Sequence, residues 1–163
     1  MNGPKLQIRK GFSTVQIIHK YKTLPCPEKL LLNTADFVYK GEQIEAGQAT
    51  TLVLCSDYSI RKLNRKYRGK DRPTDVLSFA FKDPDLLGEI YISLQRVRVQ
   101  ARAYGLSYDE ELKRVLIHGL LHLMGYDHHK KTQRLLMEER EAVYRWDGRQ
   151  VAALTTEGTR VQR

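Results

Sequence analysis

Apolar and polar positions follow two different periods along this chain, and each change of period marks an element. Thr14-Val15-Gln16-Ile17-Ile18-His19 partly alternates, as a strand does. A shorter strand is expected before it, at Leu6 to Ile8. Pro27 suits a first helical turn, and Leu30, Leu31, Ala35, Phe37 and Val38 then give a broad apolar face to about Tyr39. Gly41 and Gly47 bracket a connector. Thr50 to Cys55 is rich in β-forming residues and reads as a central strand. Asp57 or Ser59 can cap the next helix, where Ile60, Leu63, Asn64 and Tyr67 recur at helical spacing until Gly69. Arg72-Pro73-Thr74-Asp75 reads as a turn, Val76 to Phe81 as a strand, Asp83-Pro84-Asp85 as a loop, and Gly88 to Ile92 as a strand.

Helices dominate the C-terminal half of the chain. Ser93 can cap one that runs to about Tyr104, with Leu94, Val97 and Ala101 inward and Gly105 as its stop. Ser107 begins the next, and Asp109, Glu110 and Glu111 complement its N-terminal dipole. Leu112, Val115, Leu116, Gly119, Leu120 and Leu123 form its buried stripe, and Gly125 ends it. A last helix spans about Lys131 to Tyr144, with Leu135, Leu136, Met137 and Val143 expected inward. Interspersed strands and helices with short connections predict an α+β domain, a small mixed sheet with helices packed over it. One domain is expected over residues 1–146. Residues 147–163 carry few large apolar groups and are expected to form a basic, disordered tail.

Composition adds bounds. Hydrophobic content of 41% suits a globular protein of 163 residues. No apolar run approaches the roughly 18 residues needed to cross a bilayer, and no apolar signal core follows the basic start. A cytoplasmic location without membrane contact is the expectation. Cys26 and Cys55 form no CxxC pair and read as two reduced thiols. Charge changes the picture more. The net charge is +9, and between Arg61 and Arg72 stand seven basic residues against only Asp71. This basic face suits a polyanion.

The candidate chemistry lies in His118-Gly119-Leu120-Leu121-His122-Leu123-Met124-Gly125-Tyr126-Asp127-His128. His118 and His122 are four apart and share one helical face. Gly125 can take a left-handed angle and let the chain bring His128 back towards them. Three convergent imidazoles with a fourth position open describe a catalytic zinc site, where a bound water ionises near neutral pH. His129 is the alternative third ligand. The spacing HxxxHxxGxxH is that of metzincin peptidases, but Gly119 stands where they carry a glutamate base.

The same eleven residues resemble the metal motif of the YbeY ribosomal RNA maturation factors. Leu63-Asn64, Tyr67-Arg68, Asp71, Pro73-Thr74-Asp75-Val76-Leu77-Ser78-Phe79 resembles that family's second signature, and Leu87-Gly88-Glu89-Ile90 its third. Ala80 stands where the family often has proline, and Glu89 where it often has aspartate. The resemblance implies a small α+β fold with a zincin-like site. It implies a metal-dependent endoribonuclease acting on single-stranded RNA, in maturation of the 3′ end of small-subunit ribosomal RNA and in ribosome quality control. One Zn²⁺ or another divalent transition metal would sit on His118, His122 and His128. Arg68 matches the family's functionally important arginine, and its fork suits two phosphate oxygens. An ion pair of Arg68 with Asp71 or Asp75 is the structural alternative. Asp127, Asp75, Glu89 and the RNA 2′-hydroxyl remain open as proton acceptor or nucleophile. The rival functions are a metallopeptidase-like hydrolase and a non-catalytic ribosome-associated RNA-binding protein with a structural metal.

Overall fold

The computed structural model describes residues 14–44 and 47–145; the strand expected at Leu6 to Ile8 and the tail expected at 147–163 lie outside the described residues. The elements run β1 (Thr14–His19), α1 (Glu28–Gly41), β2 (Ala49–Cys55), α2 (Asp57–Arg68), β3 (Val76–Ala80), β4 (Leu86–Ser93), α3 (Leu94–Tyr104), α4 (Tyr108–Leu123) and α5 (Lys131–Arg145). The strands form one sheet in the order β1-β2-β4-β3. β1, β2 and β4 are parallel, and β3 is antiparallel to β4, so the sheet is mixed as expected.

Strand periodicity divides the core in two. Leu52, Leu54, Ile90 and Ile92 point into the larger cluster, with Leu31 of α1, Val97 of α3, Leu116 of α4 and Met137 of α5. Val53, Cys55 and Leu77 point to the other face, where Ile60 of α2 covers them. Helix α2 therefore buries one apolar edge and leaves its Arg and Lys residues exposed. Among the described residues, no helix is long and apolar enough to cross a membrane.

Helix α4 is the central one, touching α1, α3, α5, β3 and β4. It is buried on almost every side, through Leu112, Val115, Leu116, Ile117, Leu120, Leu121 and Leu123. It packs tightly against the sheet at Gly119. A Cβ there would stand 3.0 Å from Ile90 Cγ2, 3.1 Å from Val76 Cγ2 and 3.2 Å from Ser78 Oγ. The Ser78 hydroxyl donates to the Gly119 carbonyl at 2.9 Å and pins α4 to β3.

Two expectations are corrected. The cap of α2 is Ser56, whose hydroxyl accepts from Ser59 N–H; Asp57 instead takes up Arg96. The inward face of α5 is Met137, Glu141 and Tyr144, while Leu135, Leu136 and Val143 are 52%, 49% and 39% exposed. The i, i+4, i+7 stripe is narrow and contains a carboxylate, so apolar patterning alone selects the wrong side.

Candidate metal centre and cleft

Two histidines are placed by α4 and one by the loop after it. The helix starts on a capping box, in which Ser107 Oγ accepts from Glu110 N–H and the Glu110 carboxylate accepts from Ser107 N–H. At its other end Gly125 takes φ +91°, Gly125 N–H donates to His122 O, and Tyr126 N–H donates to Leu121 O. This left-handed stop reverses the chain. The loop is then tied down by a half-buried carboxylate, as Tyr126 donates to Glu42 Oε2 at 2.7 Å and Arg140 Nε to Glu42 Oε1 at 2.8 Å. Tyr144 donates to the same Glu42 carboxylate.

The result brings His118, His122 and His128 together, with ligand nitrogens all within 4.8 Å of one another. His118 Nε2 and His122 Nε2 face each other at 3.1 Å. An edge of a zinc tetrahedron with nitrogen ligands is ~3.3 Å, so this donor set fits a divalent metal. His129 lies outside the cluster; it is 80% exposed beside Asp127, 3.5 Å away.

Electrostatics favour the same arrangement. The Glu141 carboxylate is hydrogen-bonded to His118 Nδ1, and Arg145 donates to its other oxygen at 3.2 Å. Burial pushes the Glu141 carboxyl up, but His118, Arg145 and Arg114 outweigh it and the carboxyl is held below its ordinary value. Donation through Nδ1 fixes the tautomer and leaves the Nε2 lone pair aimed at the other histidines. Burial, and then the repulsion a second proton would meet beside His118 and His128, lower His122 to about 4, which keeps its ring neutral. Sequence reasoning missed Glu141. The signal was its spacing, four residues after Met137 and three before Tyr144.

Arg68 lines the same cleft as the three histidines. A cleft of about 820 Å³ is lined by the three histidines, Arg68, Lys70, Asp75, Ser78 and Asp127. Gly69, at φ 66°, ends α2 directly after Arg68. Asp71 pairs with Arg61 instead, at 2.9 and 3.1 Å. None of the ion pairs among the described residues includes Arg68. Asp75 is in the cleft, its Oδ1 accepting from Val76 N–H at 3.0 Å. Glu89 does not line the cleft; it accepts a hydrogen bond from Tyr91 at 2.9 Å.

The chain is similar to known proteins in both sequence and fold. The family described as Endoribonuclease YbeY matches residues 17–145. A relative called Endoribonuclease YbeY from Desulfitobacterium hafniense is 47% identical over 113 residues, 62% of this chain and 71% of the relative. One of the same name from Pelotomaculum thermopropionicum is 40% identical over 121 residues, 69% of this chain and 80% of the relative. The solution structure of TM1509 from Thermotoga maritima superposes with a TM-score of 0.57 at 34% identity, covering 80% of this chain and 86% of that one.

Proposed function

The chain belongs to the Endoribonuclease YbeY family, and from that premise we propose that it is a metal-dependent endoribonuclease that cuts single-stranded RNA. Its proposed task is ribosomal RNA processing at the 3′ end of small-subunit RNA and ribosome quality control, in the cytoplasm and in contact with the ribosome. The observation that carries the reading is one cleft lined by three convergent histidines and by Arg68.

His118, His122 and His128 are the proposed ligands of one divalent metal, with zinc the ion best suited to three imidazoles and an open position. When bound, the ion supplies a Lewis acid for phosphoryl oxygens and a water acidic enough to react at neutral pH. Arg68 offers its planar fork to two phosphate oxygens and stabilises the charge that develops on them. Glu141 holds the His118 ring in its productive tautomer. The exposed bases of α2 attract the RNA backbone. Asp75 and Asp127 are the carboxylates of the cleft suited to accept a proton. A cyclic-phosphate product end would assign the attack to the RNA 2′-hydroxyl instead.

Peptide hydrolysis is the poorer reading. Its glutamate would occupy position 119, where Ile90, Val76 and Ser78 fill the space a side chain needs. The test compares wild type with His122→Ala, each stripped of metal and then reloaded with zinc. Reloading should restore cutting of a single-stranded RNA only in wild type, with fold and RNA binding kept in both. Equal cutting by metal-stripped His122→Ala would defeat the proposal. Tight RNA binding without any cutting by zinc-loaded wild type would do so too, and would leave a binding protein.

A further inference from the structure

We propose that the hollow between the loop after α2 and helix α3 is a second nucleotide subsite, holding the phosphate and base next to the cut on the same RNA strand. The inference rests on the nuclease reading. The hollow has a volume of about 320 Å³, and Arg68, Lys70, Thr74 and Asp75 line both it and the histidine cleft. The two spaces therefore adjoin, and Arg68 lines both.

The charge in the hollow suits a phosphodiester. Lys70 and Arg72 line it, and neither joins an ion pair among the described residues. Arg96 is already committed to Asp57 by three hydrogen bonds of 2.8 to 3.0 Å. Asp75 is the single acid on the lining. Two uncommitted cations besides Arg68 thus face one carboxylate, which leaves a net positive hollow.

The loop that carries these cations is held before any ligand arrives. Asn64 is 3% exposed, and its side-chain N–H donates to the Arg72 carbonyl at 2.8 Å. Lys70 N–H donates to Asn64 O at 3.3 Å, and Ser93 N–H to Asp75 O at 2.9 Å. A fixed backbone lowers the ordering cost of binding. A nucleotide is distinguished from a bare anion by Gln100. Gln100 lines the hollow, and its Oε1, buried beneath that surface, is the buried side-chain oxygen without a hydrogen-bond partner among the described residues. Such groups are rare, because an unmet acceptor is costly. With the amide turned towards the hollow, a nucleobase N–H beside a held phosphate would satisfy it.

The test uses a labelled single-stranded RNA oligonucleotide in which single phosphates are replaced, one at a time, by neutral methylphosphonate. Binding is read by anisotropy on metal-free protein, and cutting by zinc-loaded protein. One replacement should weaken wild type roughly tenfold, the loss of one charge-assisted contact. The same replacement should add nothing in Arg72→Gln, whose salt slope should be smaller by about one. In cutting, that phosphate should adjoin the mapped cut, and Gln100→Leu should change the preferred base there. Losses that add fully in both Arg72→Gln and Lys70→Gln, or no loss at any position, would overturn the subsite. Coupling seen in binding while wild type cuts nothing would keep the RNA subsite and defeat only the nuclease reading.

Discussion

The two walls of the cleft are built in opposite ways. The histidine wall hangs from the most buried helix, and each ring has a support behind it: Glu141 behind His118, burial around His122, and the Glu42 tether on the loop that ends in His128. The arginine wall is the exposed last residue of an amphipathic helix, joined to no ion pair among the described residues. One wall is braced from within the fold, and the other ends in a side chain with no ion-pair partner among the described residues. A metal site tolerates little error in ligand direction, whereas a phosphate can be met by a side chain that swings.

Breaking the exposed wall should give the largest effect. Arg68→Ala should slow RNA cutting by about 10²–10³-fold, while zinc affinity and melting temperature stay at wild-type values. A fall in zinc affinity would show that the walls are not independent. Glu141→Ala comes next and should weaken zinc binding by about 10–100-fold in a chelator competition, with RNA affinity of the metal-free protein unchanged. Glu141→Gln, which keeps an acceptor for His118 Nδ1, should fall between the two.

Glu42→Gln should cost about 1–3 kcal/mol in denaturant unfolding, because Arg140, Tyr126 and Tyr144 lose a charged acceptor. Burial pushes this carboxyl up, but Tyr144, Tyr126 and Arg140 together hold it below its ordinary value of 4.5. The unfolded chain therefore binds more protons in acid. The stability Glu42 contributes is full above about pH 4.5 and is lost as pH falls through the lower folded value. The gap between wild type and Glu42→Gln should be widest at neutral pH and close in acid. The smallest effect belongs to Asp71→Asn, which releases Arg61 from an exposed pair and should leave the melting temperature unchanged.

Much of the fold was legible because α2, α3 and α4 carry their own punctuation. Ser93, Ser107, Gly69, Gly105 and Gly125 sit at helix ends as caps or left-handed stops. The spacing of His118 and His122 also needed only local geometry. Two things were not legible for a shared reason. The exposed side of α5 and the role of Glu141 both depend on which helix lies opposite, and that is set by tertiary packing. Gly119 was read as a missing base; its tight fit against Ile90 and Val76 gives the absence a second cause, close helix-to-sheet packing.

The last helix has one more consequence, in time instead of space. Glu141, Arg140 and Tyr144 all come from α5, the final described element, and between them they brace His118 and the carboxylate that tethers the His128 loop. A chain leaving the ribosome exposes its three histidines before it exposes those braces. The bracing of the three histidines should therefore be complete only once the final turns of α5 have formed.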